Sequence, residues 1–181
     1  MPGQAALVRR RHEDDLTELA QVLVRVHALD GYPVEGVADP EAWLTPDTEL
    51  ASWTAEYDGT IIGQITLAQA TPDDDAAQVW RDATDGSIEE LTIPLRLFVD
   101  PAHRDLGAGR DLMLAAGTYA VTHGRPIAFD VMLKDKRAIA LYESIGCRRL
   151  GTITHRHSEG LTEPAAVYAG PEVLPTGPAQ P

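Results

Sequence analysis

The sequence predicts an α/β (α+β) fold in which helices pack on a mixed sheet. Strand and helix patterns alternate along the chain: a strand and a helix, a β-hairpin, two strand–helix pairs and two closing strands. With 181 residues, 44% of them hydrophobic, the chain is long enough to bury a core. We expect one domain over residues 1–170 and a flexible, proline-rich tail over residues 171–181.

A short strand in ALVRR and an amphipathic helix open the predicted fold. Asp14 or Asp15 can accept hydrogen bonds from the free amides of a helix over residues 15–28. The apolar residues of this helix recur at helical spacing: Leu16, Leu19, Ala20, Leu23 and Val26. After a break rich in glycine and proline, the stretch PEAWL predicts one further helical turn.

A β-hairpin and an acidic connection follow. The first strand of the hairpin alternates apolar and polar residues, the former being Trp53, Ala55 and Tyr57. The pair Asp58-Gly59 predicts a tight turn before an apolar second strand. Residues 71–92 are acidic and irregular, and we expect one helical turn there, around Val79 and Trp80.

The C-terminal part predicts two strand–helix pairs and a strand pair. The stretch IPLRLFVD predicts a central strand with Phe98 and Arg96 on one face and these residues on the other: Ile93, Leu95, Leu97 and Val99. A helix over residues 107–123 turns its apolar positions inward: Leu112, Met113, Ala116 and Ala120. PIAFDVML predicts a buried strand, and Asp135 and Gly146 bound the next helix. CRRLGTITH and PAAVYAG predict the closing strand pair.

Charge and cysteine content limit the classes of partner. A net charge of −13 argues against a general nucleic-acid binder, although five cations can form a local basic pocket: Arg104, Arg110, Lys134, Lys136 and Arg137. The lone cysteine, Cys147, excludes an intrachain disulfide and fits a reducing compartment. Since no stretch resembles a signal peptide or a membrane span, we expect a cytoplasmic protein without a membrane partner.

The junction FVDPAHRDLGAGRDLM, residues 98–113, predicts an anion site. The first amides of a helix lack partners and carry partial positive charge, which suits phosphate. Gly107 and Gly109 let anionic oxygens approach the backbone, and Arg104 or Arg110 can add charged hydrogen bonds. The residues after the second glycine fit neither a P-loop nor a dinucleotide fingerprint. The plain alternative is a glycine-rich turn that only starts a helix.

Two motifs carry a family resemblance. The run Val99-x-Pro101-x-x-Arg104-x-x-Gly107-x-Gly109 resembles the pyrophosphate-binding signature of the GNAT N-acetyltransferase superfamily. KDKRAIALYESIGCRRLG resembles that family's helix carrying Leu-Tyr before a glycine. The resemblance covers residues 7–169, most strongly 93–150, and implies the GNAT-like acyl-CoA N-acyltransferase fold with a mostly antiparallel sheet. It also implies acetyl-CoA as co-substrate, no metal, and a primary amine acceptor, either a small molecule or a protein.

The resemblance identifies the anion as the pyrophosphate of coenzyme A. The backbone of the strand end would pair with the pantetheine arm: Leu97, Phe98 and Val99. The following loop would hold the pyrophosphate: Arg104, Asp105, Leu106, Gly107, Ala108, Gly109 and Arg110. Asp135 stands where many members have an asparagine next to the cofactor arm. It can cap its helix, but it cannot donate to the cofactor as an amide would.

The resemblance also implies a general acid. Tyr142 matches the family tyrosine whose hydroxyl lies by the thioester sulfur and protonates the departing thiolate. The alternative is that Tyr142 packs with Ala138 and Ile145 on one face of the helix. Cys147 stands where an aromatic residue usually follows the glycine, and we interpret it as a small buried residue and not a nucleophile.

A general base is useful because amines are mostly protonated at neutral pH. Asp130 interrupts an apolar strand at a place where some family members carry a carboxylate. Glu89 and Glu90, just before the IPLRLFVD strand, are competing candidates. The alternative for all three is a solvated or hydrogen-bonded carboxylate.

The acceptor does not follow from the sequence. The segments expected to face it are residues 28–50 and 71–92, and three aromatic residues can line its pocket or the core: Tyr32, Trp53 and Trp80. His155-x-His157 places two imidazoles on one side of a strand; because a third ligand is not evident, we expect exposed residues and no metal. A longer acyl-CoA, or coenzyme A binding without turnover, are alternative functions. Dimers are common in the family, and the sequence does not decide whether this chain forms a homodimer.

Overall fold

The structure is a computed structural model that describes residues 5–156, 160 and 162–171. The strands are β1 Leu7–Arg10, β2 Glu49–Tyr57, β3 Thr60–Gln69, β4 Thr92–Val99, β5 Ala128–Met132, β6 Arg148–Arg156 and β7 Thr162–Ala169. The helices are α1 Leu16–Asp30, α2 Pro40–Leu44, α3 Asp75–Thr84, α4 Ala108–Thr122 and α5 Lys136–Ser144. Two 3₁₀ segments, Glu13–Asp15 and Pro101–Leu106, precede α1 and α4. The predicted tail lies outside the described residues, except for Pro171.

The strands form two sheets, ordered β1-β2-β3-β4 and β5-β7-β6. The pairs β1–β2, β2–β3, β5–β7 and β6–β7 are antiparallel. One parallel bridge joins Thr92 of β4 to Ile127, next to β5. The predicted mixed, mostly antiparallel α/β architecture is confirmed, but β4, predicted as a central strand, ends its four-stranded sheet.

The described residues form two compact units. The first contains the residues up to Ala68 together with Pro94–Ala116, and the second contains Gln69–Ile93 together with the residues from Gly117 onward. That residues 1–170 behave as one domain stays a prediction.

Helix α1 supplies much of the core of the first unit. The helical spacing predicted from the sequence is confirmed. The inward face of α1 packs against Leu44, Ile61 and Phe98. This face consists of Leu19, Ala20, Val22, Leu23 and Val26. The helix ends at Gly31, whose φ of 68° is in the left-handed region and whose N–H donates to the His27 carbonyl.

The cap predicted for α1 is wrong in its bonding. Asp15 stands at the N-cap position, but its carboxylate makes no capping hydrogen bond to α1. Instead it accepts from the His12 amide at 2.8 Å and from the Arg9 guanidinium at 2.7 and 2.9 Å. A 3₁₀ turn precedes the helix and directs the carboxylate back toward β1, so that it joins the helix start to the sheet.

The hairpin prediction is confirmed at its turn. Asp58 and Gly59 have φ values of 50° and 73°, as a type I′ turn requires, and Tyr57 pairs with Thr60. Both faces of β2 are covered, since Ser52 and Thr54 are as buried as their apolar neighbours. The Ser52 hydroxyl lies 2.8 Å from the Thr66 hydroxyl. This hydrogen bond satisfies a buried polar side chain that the alternating sequence pattern would place on a solvent-exposed face.

The connection over residues 71–92 contains more structure than predicted. It forms the ten-residue helix α3, where one turn was expected. The reason is tertiary: an inward face with Ala77 and Trp80 packs on β-strand residues of the second unit, including Ala128 and Ala169. Trp80 and Trp53 are therefore core residues, and of the aromatic residues proposed for an acceptor pocket only Tyr32 stays half-exposed.

Candidate active site

Strand β4 carries a backbone irregularity in its middle. Arg96 has a φ of 57°, a conformation that non-glycine residues rarely adopt inside a strand. The predicted alternation fails here: Phe98 is buried in the core, while Leu97 and Val99 are half-buried. Gln64, fully buried on β3, donates its side-chain amide to the Arg96 carbonyl at 3.1 Å and holds the bulge in place.

The end of β4 turns into the glycine junction through Asp100. Its amide donates to the Ile62 carbonyl of β3 at 2.6 Å, and its carboxylate accepts from the Ala102 amide at 3.0 Å. Arg25 of α1 holds the same carboxylate at 2.6 and 2.8 Å. Burial alone would raise the pKa of Asp100, but the Ala102 amide and Arg25 outweigh it and lower that pKa.

The glycine junction has the open geometry that an anion site needs. Gly107 has a φ of 76°, and no atom lies within 4 Å of the place where a Cβ would stand. The first backbone bond of α4 runs from Asp111 to the Gly107 carbonyl at 3.1 Å. The amides of Ala108, Gly109 and Arg110 precede it and therefore have no acceptor within the helix.

Two cations flank this helix start. Arg104 is exposed and ion-paired with Asp30 at the end of α1, and its Nε also reaches the Val99 carbonyl at 3.4 Å. The sequence did not predict the Asp30 pairing, because the two residues are 74 positions apart. Nη1 of Arg110 lies 3.4 Å from Oδ1 of Asp111. Of the other predicted loop residues, Asp105 is exposed, Leu106 is half-buried and Ala108 is buried.

The second unit holds the predicted general acid. Tyr142 lies on α5, is 8% exposed and packs edge-on against Phe129 with ring centroids 4.6 Å apart. Burial raises the pKa of its hydroxyl to about 12, and the charges of Asp135, Cys147 and Asp130 add to the effect. No hydrogen bond from another described residue reaches this hydroxyl, so packing alone holds the ring. Asp135 is exposed and caps α5 as predicted, accepting from the Ala138 amide at 3.0 Å.

Asp130 has a partner that the sequence did not predict. Its Oδ2 lies 2.6 Å from Nε2 of His155 on β6, and the two side chains are 29% and 31% exposed. The expectation that His155 is an exposed strand residue is therefore wrong; strand pairing brings it to a carboxylate 25 positions away. His157 lies outside the described residues.

The other candidates differ in exposure. Glu89 and Glu90 are exposed in the turn before β4, and their carboxylates accept no hydrogen bond from the described residues. Cys147 is buried as expected, and burial raises the pKa of its thiol to about 11, which keeps it protonated and unreactive. Within the described part of the chain, no group of three metal-ligating side chains is found and no helix is long and apolar enough to span a membrane.

Comparison with known proteins agrees with this geometry. The acetyltransferase (GNAT) family matches the sequence over residues 14–147, most of the chain and both compact units. The chain belongs to the acetyltransferase (GNAT) family. This membership makes the protein an acyltransferase and agrees with the resemblance carried by the two motifs. No curated protein matches the sequence.

Solved GNAT structures share its fold. A GCN5-related N-acetyltransferase from Kribbella flavida is 21% identical, with a TM-score of 0.69 and coverage of 92% of this chain and 98% of that one. A putative acetyltransferase from Salmonella typhimurium, solved with its cofactor acetyl-CoA, is 14% identical, with a TM-score of 0.67 and coverage of 97% and 98%. Arabidopsis thaliana NAA60, in complex with acetyl-CoA, is 19% identical, with a TM-score of 0.66 and coverage of 96% and 100%.

Proposed function

We propose that this GNAT protein transfers the acetyl group of acetyl-CoA to a primary amine by direct attack. The observation that carries the proposal is the start of α4, where Gly107 leaves an open space beside three amides that have no acceptor within the helix. A helix N-terminus of this kind binds phosphate through its amides and its dipole.

The pyrophosphate of acetyl-CoA would lie against the loop from Asp105 to Arg110. Arg110 adds charge at the helix start, and Arg104 adds more when it turns from Asp30 to the ligand, an exchange of one anion for another. Because the Arg104–Asp30 pair is exposed to solvent, breaking it costs little free energy.

The end of β4 offers backbone groups to the pantetheine arm. The Asp100 amide points toward β3, where it bonds Ile62. If the residues after Arg96 alternate in direction as in a regular strand, the amides of Val99 and Leu97 would point away from β3 and could bind the ligand. Phe98 takes part through its backbone alone, since its side chain is buried in the core.

Tyr142 would act as the general acid. The amine nitrogen attacks the thioester carbon, the carbon–sulfur bond breaks, and the departing thiolate takes the hydroxyl proton. With its pKa raised to about 12, the hydroxyl is protonated throughout the neutral range, and no described residue competes for it. Asp135, which caps the same helix, stays a cofactor-binding candidate through the family resemblance.

Asp130 and His155 would act together as the general base. The acceptor ammonium must lose one proton before it attacks, and either an imidazole or a carboxylate can receive it. The hydrogen bond of 2.6 Å lets Asp130 hold the His155 ring in one orientation. Glu90 is the competing base, since its carboxylate is exposed and accepts no hydrogen bond from the described residues.

Calorimetric titration with acetyl-CoA tests the proposal. We expect wild-type protein to bind, and Gly107→Asp to bind about 100-fold more weakly or not at all, because it places a carboxylate against the pyrophosphate. Gly124→Asp is the matched control: its φ is 62° and its Cβ position is also open, so the backbone cost is similar. Absence of binding by folded wild-type protein would refute the proposal.

Turnover is measured next, by release of free coenzyme A thiol in the presence of pools of primary amines. Thiol release that depends on both the amine and acetyl-CoA supports acetyl transfer. Binding of acetyl-CoA without release in any pool supports the alternative function, coenzyme A binding without turnover.

A further inference from the structure

The positive φ of Arg96 is a strained feature that the proposed chemistry leaves unused. An arginine in the left-handed region is strained relative to ordinary strand conformation, because its Cβ crowds the following backbone. The surrounding structure maintains it: Gln64 bonds the Arg96 carbonyl, and Arg11 donates to the Gln64 side-chain oxygen at 2.8 Å. Such strain, kept in the strand beside the proposed pantetheine contacts, indicates a function for the residue placed there.

The bulge sends the Arg96 side chain onto α2. Its guanidinium carbon lies 4.8 Å from the centre of the Trp43 ring, and its Nη1 donates to the Trp43 carbonyl. Tyr32 packs edge-on against the same indole, with centroids 5.7 Å apart. Both aromatic residues belong to residues 28–50, one of the two segments that the sequence predicts to face the acceptor.

No described carboxylate forms an ion pair with Arg96, and the nearest acids are engaged elsewhere. Glu35 accepts from the Trp43 indole nitrogen at 2.6 Å, and Glu49 is held by Arg11 at 2.7 and 3.0 Å. Burial lowers the pKa of Arg96, the direction expected for a partly desolvated cation whose acidic neighbours are not in contact. The guanidinium is thus desolvated in part without a partner anion.

We propose that Arg96 binds the carboxylate of the acceptor, so that the substrate class is a primary amine that also carries a carboxylate, as amino acids do. The inference rests on the proposed acetyl transfer, since it names the acceptor of that reaction. Nη1 is occupied by Trp43, while no described residue accepts from Nε or Nη2. That free edge presents two parallel N–H groups, the geometry that matches a carboxylate.

The total charge strengthens the argument. In a chain with a net charge of −13, the average surface repels the carboxylate of the acceptor, so that binding this group needs a dedicated cation. Trp43 holds the guanidinium in one orientation, which lowers the entropy lost when a carboxylate binds.

The experiment compares two pools at equal concentration: free L-amino acids, and the monoamines that result from their decarboxylation. Thiol release from acetyl-CoA is measured for wild type, Arg96→Gln and Arg10→Gln. Arg10 is the matched control because its guanidinium also lies over a tryptophan, at 5.0 Å from the Trp53 ring centre, on a strand remote in sequence from β4. Acetyl-CoA titration of every variant is run in parallel.

We expect wild-type protein to prefer the amino acids, and Arg96→Gln to reduce that preference about 10- to 100-fold, the contribution of hydrogen bonds between charged groups. Arg10→Gln should keep the preference, and all three proteins should bind acetyl-CoA alike. Equal turnover of both pools by wild type, a preference that survives Arg96→Gln, or turnover of neither pool by protein that binds acetyl-CoA would each overturn the inference. Loss of acetyl-CoA binding in wild type would instead refute the proposed function.

Discussion

Nε2 of His155 and Oδ2 of Asp130 lie 2.6 Å apart, joining β6 and β5 through their side chains. The pair couples the base candidate that the sequence predicted with one that it did not. A carboxylate bonded to an imidazole fixes the orientation of the ring, so that the pair offers a positioned acceptor for a proton from an amine. The pair therefore has a defined chemical role in the proposed reaction.

The pair predicts a pH-dependent loss of activity. Asp130→Asn and His155→Gln should each lower kcat/KM near neutral pH by about 100-fold, the usual contribution of a general base. The loss should shrink at alkaline pH, where more of the acceptor is already a free amine. Rates of thiol release across a pH series measure this. Glu90→Gln is the comparison: if it removes activity while Asp130→Asn does not, the base assignment is wrong.

Tyr142→Phe separates chemistry from packing. The phenylalanine ring keeps the edge-on contact with Phe129, and the lost hydroxyl has no partner among the described residues, so stability should change little. The rate of transfer should fall about 100-fold with unchanged affinity for acetyl-CoA. Because the pKa of Tyr142 is about 12, the wild-type rate should show no loss from tyrosine ionisation below pH about 11. Full activity of Tyr142→Phe would return this residue to a packing role.

Asp15 predicts a loss of stability in acid. Hydrogen bonds from Arg9 overcome burial and lower the pKa of Asp15 to about 2, below its value of about 4 in an unfolded chain. A carboxyl with a lowered pKa stabilises the fold fully above the unfolded value, and this contribution is lost as pH falls from about 4 to about 2.

The contribution amounts to about 2 kcal/mol at neutral pH, since the Asp15 side chain is only 8% exposed. Asp15→Asn should lower the free energy of unfolding by roughly this amount at pH 7, and the difference from wild type should disappear near pH 2. Urea titrations at several pH values measure it. Asp14→Asn, an exposed neighbour, is the control and should change stability little at either pH.

The close approach of Gly63 on β3 to β4 predicts that a side chain at this position would disturb the candidate cofactor strand. A Cβ at this position would lie 2.4 Å from the Phe98 carbonyl oxygen of β4, far inside contact distance. Gly63→Ala should therefore displace β4, lower stability by about 1–3 kcal/mol and weaken acetyl-CoA binding.

The matched control for Gly63→Ala is Gly109→Ala. A Cβ at Gly109 would lie 3.8 Å from Val99 Cγ2, an ordinary contact, and its φ is not in the left-handed region. Gly109→Ala should keep the wild-type free energy of unfolding, measured by urea titration, and it serves as a control for stability only because Gly109 lies in the proposed pyrophosphate loop. Equal losses of stability in the two variants would show that the close approach of Gly63 to the Phe98 carbonyl does not determine the position of β4.

Three expectations that depend on neighbouring residues agreed with the structure, whereas the cap predicted for α1 did not. The helical spacing from Leu19 to Val26, the left-handed Asp58-Gly59 turn and the Asp135 cap each involve residues fewer than eight positions apart. Helix α3 was underestimated for the opposite reason. Its acidic sequence gives a weak local signal, and burial of Trp80 against distant strands stabilises the helix.

The sequence by itself determined the order of the elements, the glycine junction with Arg104, and the position of Tyr142 before Gly146, because periodicity, turn chemistry and motif spacing are properties of adjacent residues. Only the tertiary structure decided that Arg96 leaves the strand conformation to lie on Trp43, and that His155 bonds Asp130. The physical reason is register: which side chains meet across a sheet depends on the pairing of strands far apart in sequence, and a shift of one residue would send them to opposite faces.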